Sequence, residues 1–374
     1  MTDRVRFSCL RVNDSLYRSY MPAEEESVWS VRISSIVGCE WQAFIKDIKV
    51  RLLSKSIHKG KFKGFLVNGR LLQAFDLSRE FLESAGDIRL VIENLDLSYA
   101  EVVSVMESKK AVFESLVEMS SGEEILAFNM RVARELAYTS DKIEGTTIEE
   151  GEAKANLEHF RDELPEQQQD PDHIEMRNHM LTVVDLVFTM KDKPIQSINV
   201  DYMLTLHRAL DLFHMRPEYK GVFRDVDVTI ATGPNPGFTR HTDVPRAVDA
   251  MLQQLHSMSC NTDTLHVAAW LHFQFVQIHP FADGNGRVGR LLMNTFLLQR
   301  GFPLVCIHPN IREIYFQSLK VARRIENGAL SLPAGTSSPY DFLKRILVEF
   351  TVRSLDIGIS MLSLHLQEGQ EDVV

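Results

Sequence analysis

Residues 278–290 read Ile-His-Pro-Phe-Ala-Asp-Gly-Asn-Gly-Arg-Val-Gly-Arg. Their types suit chemistry on phosphates. Gly284 and Gly286 stand at the start of a helical stretch. Backbone N–H groups at such a start point toward an anion, and the helix dipole adds to the attraction. Asn285 lies between the two glycines. Arg287 and Arg290 are three apart and share a helix face, where either guanidinium can fork onto phosphate oxygens. Asp283 offers the hard oxygens that Mg2+ takes when it bridges phosphates. His279 titrates in the range suited to taking a proton from a hydroxyl. Together they make a cradle for a nucleotide polyphosphate, with a base, a metal ligand and two cationic clamps. Singly, each residue would fit a helix cap or a surface ion pair equally well.

Such a loop needs two helices to hold it. Residues 265–278 are apolar almost all round, so this helix is expected to be central and buried. Pro280 disfavours the α conformation at His279, so the helix should end near Ile278. The next helix should bury Val288, Leu291, Leu292 and Thr295. Around this pair the periodicity predicts helices over 99–118, 123–144, 150–161, 172–190, 200–212, 244–258, 310–326 and 339–366. Segment 222–243 differs. Val226, Val228 and Ile230 alternate before a Gly233, Pro234, Pro236, Gly237 cluster, which reads as a short β-hairpin.

A second constellation lies at 126–145. Leu126, Met130, Ala133 and Ala137 form an apolar stripe whose continuation lands on Ser140 and Glu144. A carboxylate on a buried stripe needs a cationic or hydrogen-bonding partner. Gly145 supplies a helix stop. The competing reading is a helix end at which Glu144 simply reaches water.

Residues 1–97 read as a small α+β unit. Val5–Cys9, Trp29–Ile33 and Ile88–Ile92 look like strands. Glu40–Ser54 carries Trp41, Phe44, Ile48 and Leu52 at helical spacing. Phe65–Val67, Asn68-Gly69 and Arg70–Leu72 spell a hairpin. Residues 98–366 form one mainly helical unit, and the acidic stretch 367–374 is expected to be a disordered tail.

Charge follows that division. The 374 residues carry a net charge of −10, yet residues 1–100 hold 15 Lys and Arg against 13 Asp and Glu. The overall sign argues against a general nucleic-acid binder. The basic run from Lys46 to Lys63 reads as a solvated face or a docking surface for a protein partner. Four scattered cysteines fit neither a zinc knuckle nor a disulfide framework. With no signal peptide or membrane-length apolar run, a soluble cytoplasmic protein is expected.

The 279–290 segment resembles the signature of the Fic (filamentation induced by cAMP) family, His-Pro-Phe-x-Asp/Glu-Gly-Asn-Gly-Arg-x-x-Arg, at every fixed position. Residues 219–224, Tyr-Lys-Gly-Val-Phe-Arg, resemble the family segment before its flap hairpin, and 226–243 resembles the flap. Ser140-Asp141-Lys142-Ile143-Glu144-Gly145 is similar to the inhibitory-helix motif of the family's self-inhibited class. Residues 1–97 resemble the ubiquitin-like β-grasp. The resemblance implies an all-α Fic-type domain with a small hairpin, and protein adenylyltransferase activity that moves AMP from ATP to a Tyr, Ser or Thr hydroxyl. In that scheme His279 is the base and Asp283 holds Mg2+. Asn285, with the Gly284 and Gly286 backbone, holds the inner phosphates, and Arg287 and Arg290 hold the outer ones. Ser140, Glu144 and Gly145 form the brake, with Glu144 on Arg290. The target protein docks on the flap near 226–243, and AMP removal is a second activity open to the fold.

Other readings stay open. The motif reads phosphates and not the base, so UMP, GMP or phosphocholine transfer would fit it. Kinase relatives carry Lys where this chain has Gly286. A metal hydrolase would need closer histidine spacing than His207, His214, His266, His272 and His279 provide. A non-enzymatic adaptor would work through residues 1–97. Membrane and nucleic acid are not expected partners. The oligomeric state is left open, a homodimer included.

Overall fold

The computed structural model describes residues 51–52, 65–67, 70–72, 99–149, 151–153, 170–228, 237–258, 262–332 and 337–371. Nine helices lie in these residues: α1 (Tyr99–Met119), α2 (Gly122–Glu144), α3 (Pro171–Met190), α4 (Val200–Leu210), α5 (Val244–Ser257), α6 (Thr264–Ile278), α7 (Asn285–Gln299), α8 (Arg312–Glu326) and α9 (Asp341–Glu371). Short 3-10 turns cover Pro217–Tyr219 and His241–Asp243. The fold is mainly α, as expected, and the helix ends fall close to where the periodicity puts them. Of the helix expected at 150–161, only 151–153 lies among the described residues.

The chain divides into two compact units: Met1–Glu107 with Asn310–Arg353, and Ser108–Pro309 with Ser354–Val374. In the first, β1 (Arg51–Leu52), β2 (Phe65–Val67) and β3 (Arg70–Leu72) form an antiparallel sheet in the order β1-β2-β3. Phe65 pairs with Leu72 and Val67 with Arg70, the register expected of a hairpin turning at 68–69. The helix expected over 40–54 is corrected at its end. Leu52 is in a strand opposite Phe65, where the ladder outweighs a four-residue apolar stripe. The remaining expectations for 1–97, the β-grasp order among them, lie outside the described residues. In the same unit α8 is amphipathic and buries Tyr315, Leu319 and Ala322.

The second unit is built around α7. It packs on α6 most extensively, and also on α3, α4 and α2. Val288, Leu291, Leu292 and Thr295 are fully buried, as expected, but so is most of the helix from Asn285 to Leu298. Close approach to α6 rests on Gly289, where a Cβ would stand 3.1 Å from His272 Nδ1. The α2 stripe holds from Ala133 to Ser140. Its first part is corrected: Leu126 is exposed, and Phe128 and Val132 face the core instead. α9 runs to Glu371, through part of the stretch expected to be disordered. Gln367, Glu368, Gln370 and Glu371 are helix formers and no proline breaks the run. Among the described residues, no helix is long and apolar enough to cross a membrane.

Candidate active site

α6 delivers His279. The helix ends at Ile278, and His279 takes a left-handed conformation, φ 54 and ψ 58, while its N–H still donates to Phe275 O at 2.9 Å. A non-glycine residue there is strained by about 1–3 kcal/mol and persists only where its surroundings fix it. Arg224 does much of the fixing. Its Nε donates to His279 O at 2.7 Å and its backbone N–H to Pro280 O at 2.9 Å. Its other nitrogens reach the carbonyls of Val226 and Thr239, so one buried guanidinium also ties both described arms of the 222–243 segment. Burial holds Arg224 below the usual arginine range, although Asp227 opposes that shift. The His279 ring stacks on Phe238 at 4.1 Å. Its Nδ1 lies 3.3 Å from Val276 O. That carbonyl favours the Nδ1–H tautomer, which puts the basic lone pair on Nε2.

The loop after His279 is folded on itself. Asn285 Oδ1 accepts from Phe281 N–H and Asn285 Nδ2 donates to Phe281 O, both at 2.9 Å. Asn285 is buried, and both ends of its amide brace the loop. Phe281, fully buried, stacks on His207 at 3.9 Å. His207 Nδ1 accepts from Gly221 N–H at 2.8 Å, so Nε2 carries the proton that reaches Asp283 O at 3.1 Å. Burial lowers the His207 pKa to about 4, so this pillar is neutral at physiological pH. Gly284, φ 75, turns the chain into α7.

The two arginines diverge. Arg290 is 1% exposed; Nε donates to Ser140 Oγ at 2.8 Å, and NH2 to Ser140 O at 3.0 Å and Glu144 Oε1 at 2.6 Å. Arg287 NH1 donates to Glu175 Oε2 of α3 at 2.6 Å and lies 3.7 Å from Asp141 Oδ1 of α2. Asp141 also meets His179 Nδ1 at 2.9 Å. Burial works against the charge on Arg287, but Asp141 and Glu175 outweigh it and raise the guanidinium above its ordinary range.

Glu144 is the last residue of α2. Gly145, φ 110, ends the helix, and its N–H returns to Asp141 O at 3.0 Å. The turn beyond is clasped by Asp172 Oδ2, which accepts from Thr147 N–H at 2.8 Å and Thr146 Oγ1 at 2.9 Å. The Glu144 carboxylate lies against the start of α7, where a Cβ at Gly286 would overlap Oε1. It thus sits where an anion is expected.

Asp283 points outward, its side chain 52% exposed. Oδ1 accepts from Gly284 N–H at 2.6 Å, and Oδ2 meets His214 Nε2 at 2.8 Å. Half-open carboxylate oxygens at the loop mouth suit Mg2+, which keeps several waters and needs only one or two carboxylates beside a substrate's phosphates. Among the described residues no group of three His, Cys, Asp or Glu could hold a metal by itself. His272 is fully buried with its pKa lowered to about 4 by burial, and His266 lies in the first turn of α6.

The described arms of the flap segment carry no strand ladder. They are joined through Arg224 and by Asp227 Oδ1, which accepts from His241 N–H at 2.7 Å. The 229–236 tip of the expected hairpin lies outside the described residues.

Residues 197–297 match the model of the Fic/DOC family. Over that stretch the chain is similar to a Fic domain. A protein adenylyltransferase Fic of Drosophila persimilis is 38% identical over 125 residues, 33% of this chain and 24% of that protein. One of Drosophila grimshawi is 30% identical over 234 residues, 60% of this chain and 46% of that protein. The chain thus spans less than half the length of these two relatives. Two solved structures share the fold. A Fic domain-containing signaling protein from Bacteroides thetaiotaomicron aligns over 69% of this chain and 97% of its own, with TM-score 0.57 and 22% identity. Residues 134–508 of Fic-1 from C. elegans align over 76% and 84%, with TM-score 0.56 and 21% identity. Every residue of the signature and of the 140–145 motif falls in the second unit. Glu175, Asp141, His207, His214 and Arg224 contact the signature residues or the loop that carries them.

Proposed function

We propose that the chain is a protein adenylyltransferase that moves AMP from ATP to a Tyr, Ser or Thr hydroxyl of a target protein, and that Glu144 holds it inhibited. The relatives' name points the same way. One observation carries the reading: a carboxylate on Arg290 at 2.6 Å lies over the N-terminus of α7, as a phosphate oxygen would.

His279 Nε2 takes the proton of the target hydroxyl. The oxygen attacks the α-phosphorus, the bond from that phosphorus to the oxygen bridging the β-phosphate breaks, and pyrophosphate leaves. The Gly284–Gly286 backbone and Arg290 stabilise the phosphate charge, aided by Arg287, and Asn285 keeps the loop in shape. Mg2+ on Asp283 would neutralise charge on the bridging phosphates. With Glu144 on Arg290 the outer phosphates lose their clamp, so productive binding requires that pair to open. The target segment docks beside Phe238 and Gly237, on the flap near 226–243, in reach of His279. AMP removal would use the same residues.

Wild type, Glu144→Gly and His279→Ala, each given labelled ATP, Mg2+ and cell lysate, test this. Labelling should rise in Glu144→Gly and vanish in His279→Ala. The mass added to the modified protein names the group, separating AMP from UMP, GMP or phosphocholine. Equal labelling by wild type and Glu144→Gly would remove the brake, and labelling by His279→Ala would remove the base.

A further inference from the structure

Glu175 has no place in the signature or in the inhibitory motif, yet it touches three parts of the site. Its Oε2 accepts from Arg287 NH1 at 2.6 Å. Its Oε1 accepts from Phe213 N–H at 2.9 Å and lies 3.3 Å from His214 Nδ1. His214 Nε2 in turn meets Asp283 Oδ2 at 2.8 Å. One largely buried carboxylate on α3 therefore joins the first arginine of α7 to the turn after α4, and through His214 to the loop mouth.

The partners are unequally buried. The Arg287 side chain is 7% exposed and Glu175 14%, whereas His214 is 59% exposed. Arg287 Nε is buried with no hydrogen-bond partner among the described residues. Asp141 stands farther from Arg287, at 3.7 Å, and is itself engaged by His179. The orientation of the guanidinium thus depends chiefly on Glu175. A charge-assisted bond of this kind fixes direction as well as energy.

We infer that Glu175 is a positioning residue for nucleotide binding, aiming Arg287 at the phosphates and tying it through Phe213 and His214 to the Asp283 loop. The inference rests on the reading of ATP as substrate. Glu175→Gln keeps the shape and can still accept from Phe213 N–H, but loses the charge that orients Arg287. Partners that orient a functional group cost about tenfold to a hundredfold when removed.

The test uses the Glu144→Gly chain, so that the brake does not mask the effect. Glu175→Gln in that background should raise the KM for ATP about tenfold or more. A merely structural loss would lower the active fraction and kcat and leave KM alone. Equilibrium ATP binding, measured in the Glu144→Gly, His279→Ala chain where nothing turns over, should weaken to match. Adding Glu175→Gln to Arg287→Ala should weaken it no further. His214→Ala alters an exposed side chain, serves if Glu175→Gln fails to fold, and should shift ATP binding in the same direction by less. Unchanged or tighter ATP binding in a folded Glu175→Gln chain overturns the inference while leaving the transferase reading intact. Failure of the Glu144→Gly, His279→Ala parent to bind ATP overturns both.

Discussion

The catalytic loop has two unlike sides. Toward α2 and α3 it is closed: Arg290 is 1% exposed and bonded to Ser140 and Glu144, and Arg287 is held between Glu175 and Asp141. Toward the flap the described residues are more exposed: Asp283 and His214 are more than half exposed, and the His279 ring stacks on Phe238. The closed side has its charges arranged in advance, which is what holding a polyphosphate requires. In this reading, regulation acts on the closed side because Glu144 can imitate a phosphate there, and target choice is made on the flap side.

The largest effect should come from the residue between the two sides. His279→Ala in the Glu144→Gly background should lower transfer by about a hundredfold to ten-thousandfold, the usual worth of a general base. It should leave ATP affinity nearly unchanged, because phosphates bind on the closed side. A parallel loss of ATP affinity would break the division. Next comes Glu144→Gly alone. A coupling of this kind typically shifts an equilibrium about five- to 150-fold. Both transfer rate and ATP affinity should rise within that range, and a rise in rate with no change in affinity would place Glu144's effect outside the phosphate site.

Gly286→Ala sharpens the same point. A Cβ there would overlap Glu144 Oε1, the far end of a flexible side chain, so the brake must give way. If the phosphates share that place, the methyl obstructs them too. Gly286→Ala should therefore show no gain in transfer, while its ATP affinity falls about tenfold below that of Glu144→Gly, a loss of ~1.4 kcal/mol. Transfer equal to that of Glu144→Gly would show that carboxylate and phosphate sit in different places.

The two sides were not equally legible in the amino-acid order. The signature is local, so His279, Asp283, Gly284 and Arg290 could be placed from spacing, and Pro280 marked the end of α6. Ser140 is buried on the stripe that the spacing predicts, whereas Glu144, at its end, is exposed and bonded to Arg290. The residues that position these groups follow no local pattern. Glu175 and Asp172 come from α3, and His207 and Arg224 from around α4. Each acts through contacts that only the packing of helices creates. Asp141 is next to Ser140, and the 140–145 spacing does not mark it, because adjacent residues on a helix face different ways. Three-residue spacing puts the two arginines on one helix face, and the residues packed there, Glu175 and Asp141 for Arg287, Ser140 and Glu144 for Arg290, decide what each guanidinium meets.

A last effect, on stability against pH, again separates the sides. His207 supports the flap side and His272 lies behind Arg290, and burial lowers both to about 4. The unfolded chain binds a proton at each near pH 6.5. Between those values the unfolded state holds more protons than the folded one, so stability falls as pH falls. The slope is about 1.4 kcal/mol per pH unit for each histidine, fully developed below pH 6 and gone below about 4. Urea unfolding at pH 7.5, 6 and 5 measures it, and a flat profile would mean that neither ring is held neutral. Protonated His207 can no longer accept from Gly221 N–H, a bond of 2.8 Å that holds the turn beneath the flap. The Gly221 amide should therefore lose exchange protection as the pH falls from 5 through about 4, relative to its intrinsic rate, before the amides of α2 do. Equal loss on both sides would mean that the flap side has no weak point of its own and that acid opens the whole unit at once.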